Sequence, residues 1–219
     1  MASYALQLVV PPTVDPVSLA EAKLHLRVDG DEEDTLIASM IRAATEYAEG
    51  FTGRAIATAG YRLTLDGPPI GRIGAPRLHP EVEIPVQFGQ GVCSVTLTRN
   101  GLRLPLPPLQ RVDAVRYIDP AGAAQEMAAS DYAVDTASEP GRVVMLRGWP
   151  ALATDRPGVV SVDFTAGYAA GHTPAAIRHG ILLHVGYLYA NREPVTGYVG
   201  GFVQWAAIDN LYALHRVFT

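Results

Sequence analysis

Apolar residues recur every three to four positions at both ends of this chain and every second position in between. That change of period limits the folds open to it. From Leu36 to Phe51 the series Leu36, Ile37, Met40, Ile41, Ala44, Tyr47, Ala48, Phe51 draws one buried helix face. Between Ala57 and Phe164 the segments YRLTLD (61–66) and SVTLTRNGLRL (94–104) alternate apolar with polar residues, as half-buried strands do. Helical period returns after Thr173. Two such switches read as an α+β chain: an α-helical core of an N-terminal αα-hairpin plus C-terminal helices, with an inserted antiparallel β subdomain. The expected division is 1–56 for the hairpin part of the core, 57–170 for the β insert, 171–193 for a core helix, and 194–219 for a C-terminal joint and helix or tail for partner docking.

Local signals place the boundaries. Ser18 followed by Glu21 has capping-box spacing, so a short helix is expected to start there and run out at Val28-Asp29-Gly30, with Leu19, Ala22 and Leu26 on its stripe. Acidic residues from Asp31 to Asp34 suit the positive end of a second helix, and Gly53 supplies its stop. In the middle region Asn100-Gly101 is a strong hairpin signal. Further short strands are expected in VDAVRYID, DYAVD, RVVML and VVSVDFTAGY, separated by DPAG, SEPG and DRPG turns. Most of the 17 prolines lie here. Thr173 is the expected cap of the next helix, with Pro174 at its first position and Ile177, Ile181, His184, Val185 and Leu188 facing inward. Gly180 and Gly186 inside that helix cost about 1 kcal/mol each against alanine, which suggests close helix approach. GYVGG (197–201) reads as a flexible joint before a last helix.

The 219 residues carry 17 Lys plus Arg against 22 Asp plus Glu, a formal net charge of −5. Tight, wrapping DNA binding is disfavoured, because that affinity comes from neutralised phosphates. A single cysteine, Cys93, excludes a disulfide framework and a thiolate-rich zinc site and fits a reducing cytoplasm. The N-terminus has no basic region ahead of its short apolar run and does not read as a secretory signal. The longest apolar segment, Ile181 to Ala190, is shorter than a bilayer span.

DGDEED (29–34) superficially resembles a calcium loop, but the sixth and twelfth positions hold Asp34 and Met40 instead of glycine and glutamate. A solvated helix start is the simpler reading. Among His25, His79, His172, His179, His184 and His215 the helical pair His179/His184 is five apart and points to different faces. Neither a GxSxG elbow nor a P-loop occurs, and the Glu81/Glu83 pair is weak evidence for acid–base work. No catalytic residue, cofactor or metal is assigned.

Apolar groups near the C-terminus are more suggestive. Phe202, Trp205, Leu211, Tyr212, Val217 and Phe218 cannot all fit the stripe of a short helix. Phe202, Trp205, Leu211, Tyr212, Arg216 and Phe218 are therefore the candidate partner interface, the alternative being packing onto the same domain. YLYANRE (187–193) turns abruptly polar, which makes Asn191, Arg192 and Glu193 candidates for capping a core helix or meeting a neighbouring subunit.

VSLAEAKLHLRVDGDEEDTLIASMIRAATEYAEGFTGRAI, VDFTAGYAAGHTPAAIRHGILLHVGYLYANRE and the closing IDNLYALHRV, with RNG, DYAVD and GRVVMLRGWP between them, resemble the head-tail connector (adaptor) proteins of tailed phages, prophages and gene transfer agents. The resemblance implies a structural protein without catalysis, working in a virion or phage-like particle at the head-tail junction and made in the host bacterial cytoplasm. It implies a homo-oligomeric ring, usually of twelve, beneath the portal protein, with a tail-side head-completion or stopper protein below. Double-stranded DNA would pass through the channel without specific binding, in keeping with the weakly acidic composition. The Pro/Gly-rich 71–91 region is longer than this pattern leads one to expect. A second reading is a β-rich module for sugar or peptide, for which Trp149 beside Pro150 is the candidate platform. A hydrolase with an unrecognised site is the third.

Overall fold

The computed structural model describes residues 4–67, 82–88, 91–98, 101–192 and 199–217. Its elements in chain order are β1 (Tyr4–Val10), α1 (Leu19–Leu26), α2 (Asp34–Thr52), β2 (Ala59–Leu65), β3 (Val82–Phe88), β4 (Gly91–Thr98), β5 (Gly101–Arg103), β6 (Leu109–Ile118), β7 (Ala124–Glu126), β8 (Tyr132–Asp135), β9 (Arg142–Met145), β10 (Val160–Ala166), α3 (Ala175–Ala190) and α4 (Val199–Ala213). The class is mixed α+β, as expected.

Two antiparallel five-stranded sheets run in the orders β1-β2-β10-β6-β7 and β3-β4-β5-β9-β8. Alternation sets which face is covered. On β2, Ala59, Tyr61, Leu63 and Leu65 are buried and the residues between them are half-buried. These meet Val160, Val162 and Phe164 of β10 and Leu102, Val143 and Met145 from the second sheet in one shared core. The Arg62↔Asp163 register puts both charges on the outer face of the first sheet. Strand β1 lies outside the expected 57–170 insert. The N-terminal segment, placed by the expected division with the hairpin part of the core, instead pairs with β2 from Tyr4↔Leu65 to Val10↔Gly60 and forms the edge of the sheet.

The helices enclose a second core containing Ile37, Ile41, Ala44, Ala48, Ile177, Ile181, Val185, Ile208 and Tyr212. Ser18 caps α1, accepting from the Glu21 amide at 3.2 Å. The Glu21 carboxylate is engaged elsewhere, accepting from Arg178 of α3 at 2.6 Å, so the box ties two helices instead of closing on itself. Arg27 ends α1 in the left-handed region at φ 60°. Gly53 ends α2 at φ 69°, a conformation that favours glycine. Helix α3 begins one residue later than expected, with Pro174 extended at its cap position and Ala175 first. Helix α4 begins at Val199, inside the glycine-rich stretch taken for a joint, so Gly200 and Gly201 are helical. Leu36, placed on the inward stripe of α2, is 37% exposed.

Candidate assembly surfaces

Lys23 donates to Asp31 at 2.7 Å and to Asp34 at 2.8 Å. The acidic loop that resembled a calcium site is thus held by a cation of the chain itself, and Lys23 is the only lysine present. No group of His, Cys, Asp or Glu suited to a metal ion occurs among the described residues. None of the described helices is long and apolar enough to cross a membrane. His184 is buried, edge-on to Tyr47 at 5.0 Å, and burial lowers its pKa; His179 is exposed.

At the end of α3, Asn191 donates from its side chain to the Tyr187 carbonyl at 2.9 Å, capping its own helix. Arg192 pairs with Glu33 at 2.5 Å, and the Tyr189 hydroxyl donates to the other oxygen of the same carboxylate. The guanidinium also sits 4.9 Å from the Tyr189 ring centre. These two hydrogen bonds, Tyr189 first, hold Glu33 below the usual carboxylate range. Asn191 and Arg192 therefore do work within the chain, fastening α3 to the start of α2. Glu193 lies outside the described residues.

Tyr212 corrects the interface expectation. It is fully buried, with its ring 6.2 Å from Tyr47 and 6.1 Å from Phe51, so it fills the helical core and has no surface to offer a partner. The physical reason is the close approach of α4 to α3: a Cβ on Gly180 would lie 2.5 Å from the Tyr212 ring. The Tyr212 hydroxyl has no hydrogen-bond partner among the described residues. Beside it, Tyr47 donates to Asp209 at 2.9 Å, and burial with this carboxylate pushes the phenol up to about 12. Leu211 is half-buried, and exposed Arg216 stacks 5.5 Å from the Phe51 ring. The outer side of α4 shows Ala206, Ala207, Asn210 and Ala213, with Leu214 just beyond at 75% exposure. Phe202 and Trp205 fall among side chains outside the description, and Phe218 outside the described residues.

Arg54, which the sequence did not single out, joins three parts of the molecule. It donates to the His215 carbonyl at 2.6 Å and to Glu139 of the β8–β9 connection at 2.7 Å, and it reaches Tyr168 at 3.5 Å. The Val217 amide also donates to the Thr52 carbonyl at 2.8 Å. The C-terminal segment is consequently fastened back onto the helical core.

The outer face of the first sheet is charged but internally paired. Arg62 grips Asp163 with two bonds, 2.6 and 2.8 Å. Arg116 bridges Asp163 at 2.5 Å and Glu126 at 3.0 Å, and Arg111 pairs with Asp113 at 2.6 Å. Apolar exposure is concentrated elsewhere. Leu8, Val9, Val10 and Val14 are each 48–57% exposed, and Val134 and Leu146 are 38% and 61% exposed. Trp149, the candidate platform of the sugar- or peptide-binding reading, is half-buried against the β core.

Residues 16–101 match the family described as phage gp6-like head-tail connector proteins. Across almost the whole chain the fold is that of three solved structures. One, from the neck of an empty GTA particle computed with C6 symmetry, has TM-score 0.66 and 24% identity and covers 98% of this chain and 96% of its own. A second, from the virion of a native gene transfer agent particle, has TM-score 0.63 and 25% identity with the same coverage. A third, from the neck of a native GTA particle computed with C12 symmetry, has TM-score 0.65 and 24% identity, again over 98% and 96%. Over 16–101 the sequence is thus similar to the head-tail connector family, and over nearly its full length the chain shares the fold of these gene transfer agent particle chains. No curated protein matches the sequence.

Proposed function

We propose that this protein is a structural head-tail connector subunit, forming a ring under the portal vertex that links capsid to tail and extends the DNA channel. The observation that carries the reading is the coincidence of the connector match over 16–101 with a fold shared, end to end, with a chain of the gene transfer agent particle. The C6 and C12 symmetries of the related necks favour twelve copies in a closed ring built from heterologous contacts. Its partners are the portal protein above and a tail-side completion protein below. DNA passes without being held: net charge is −5, and the sheet arginines Arg62, Arg111 and Arg116 already hold carboxylates. Catalysis has no part in this role.

Portal docking falls to the outer face of α4 and the segment after it, including Leu211, Leu214 and Arg216, with Phe202, Trp205 and Phe218 retained from the sequence. Tyr212, fully buried, lies outside that set. Native mass spectrometry of the protein mixed with its portal oligomer tests the reading. A complex with about one connector per portal subunit is expected; a monomer indifferent to the portal would overturn it.

A further inference from the structure

The two sheets share a core and have one pair of edges at β1/β3 and the other at β7/β8. Strand β3 approaches β1, while β7 leads within a few residues into β8. An edge strand is a template for another chain, and monomeric proteins guard it with charge, proline or cover. From Tyr4 to Val14 this chain has no charged residue, and its outer half, Leu8–Val10, is exposed together with Val14. Along it lies a trough of about 400 Å³ lined by Val9, Val10, Gly60, Tyr61 and Phe164, with Arg111, Asp113 and Asp163 on its polar wall.

At the far edge β7 is exposed throughout, and Val134 of β8 and Leu146 after β9 are the exposed large apolar groups. Charges around them are already answered within the chain: Asp135 by Arg142 at 2.9 Å, Asp131 by Arg147 at 3.8 Å and Glu126 by Arg116 at 3.0 Å. Each edge thus offers apolar surface without unpaired charge, and the two sit at opposite ends of the same sandwich.

We infer that the Leu8–Val14 edge of one subunit docks against the β7–β8 edge of a second copy of this chain. The inference rests on the ring reading and names the surface that builds it. A head-to-tail contact between opposite ends repeats from copy to copy and covers both edges in every subunit, which a single unrelated partner does not. Main-chain pairing along β1 gives strength, while Val134 and Leu146 cover Leu8, Val9 and Val14.

Two double variants test this, Leu8→Lys/Val9→Lys on one edge and Val134→Lys/Leu146→Lys on the other. All four positions are exposed, so both proteins should keep the wild-type melting curve. With wild type, native mass spectrometry in the presence of the portal oligomer should show the ring. Each variant alone should lose it, and a mixture of the two should stop at a one-to-one dimer through the single intact pair of edges. If Val134→Lys/Leu146→Lys assembles like wild type, the contact is a two-fold β1–β1 pairing or lies elsewhere, and the inference fails while the connector reading stands. If both variants form rings the outcome is the same. If wild type itself forms no ring, with or without the portal oligomer, both readings fail together.

Discussion

The helical core and the β core bury similar kinds of side chain but close differently. In the β core, β10 is flanked along its length by β2 and β6, so a backbone ladder fixes the position of Val160, Val162 and Phe164 before any side chain packs. The helical core has no such ladder. Its last wall is α4, which returns from the end of the chain to insert Ile208 and Tyr212 against Tyr47, Phe51 and Gly180. Redundant backbone pairing tolerates local change; a wall held by a few ring contacts does not. The comparison predicts that single changes around Tyr212 matter more than comparable changes on the sheet.

The strongest way to break this contrast is to remove the wall. Sequence alone suggests that cutting the chain before Gly197 would cost only docking. With α4 in place the expectation reverses, because truncation also deletes Ile208, Tyr212, the Tyr47–Asp209 bond and the Val217–Thr52 bond. Tyr212→Ala by itself should lower stability by about 3–5 kcal/mol, the usual range for losing a large buried ring. Truncation should do at least as much. Hydrogen exchange would show α2 and α3 amides losing protection while β6 and β10 keep theirs; equal loss in both would mean that the two cores unfold as one.

A subtler difference lies at the joint between the cores. Glu49, near the end of α2, accepts the Ile56 amide at 2.8 Å, and burial of its carboxyl pushes its pKa up from 4.5 to about 7. The folded protein therefore keeps a proton that the unfolded chain has released. Stability falls as pH rises from about 4.5 to 7, by on the order of 3 kcal/mol, and is level above that. His184 and His215, lowered chiefly by burial, act in the opposite sense: their contribution is present above the ordinary histidine range and is lost as pH falls through it. Glu49→Gln keeps an acceptor for Ile56 and should remove the carboxylate's share. Urea unfolding from pH 4.5 to 7.5 would show the variant gaining on wild type as pH rises; parallel curves would mean that Glu49 ionises normally.

How far these features could be read in advance follows from how local their causes are. Ser18, Gly53 and the strands flanking Asn100-Gly101 announce themselves, because caps and tight turns are decided within four residues. The α2 and α3 stripes were legible for the same reason. Strand β1 was not: a short apolar run ended by two prolines does not declare its pairing until its partner β2, some fifty residues on, is known. Arg54 gives no sequence signal, since its partners come from the β8–β9 connection, the connection between β10 and α3, and the chain end. Excess apolar residues after Gly201 were evident, but which of them turn inward depends on where α3 presents Gly180.

The two glycines of α3 sharpen the comparison at the scale of one methyl group. They are six residues apart in one helix, and alanine is favoured over glycine at either by roughly 0.5–1 kcal/mol from propensity alone. At Gly186 the nearest foreign atom to an added Cβ is His25 Nε2 at 3.5 Å, an ordinary contact, so Gly186→Ala should gain up to that amount. At Gly180 the Cβ would meet Tyr212 at 2.5 Å, with a second ring carbon at 3.1 Å. The ring cannot swing away, being packed against both Tyr47 and Phe51, so α4 must shift as a body. Overpacking of this kind costs about 1–3 kcal/mol, which outweighs the propensity gain. Paired thermal melts should show Gly180→Ala below wild type and Gly186→Ala at or above it, and Gly180→Ala combined with Tyr212→Leu should recover part of its own deficit. Equal shifts for the two glycines would mean that the α3–α4 approach is looser than a ring's thickness.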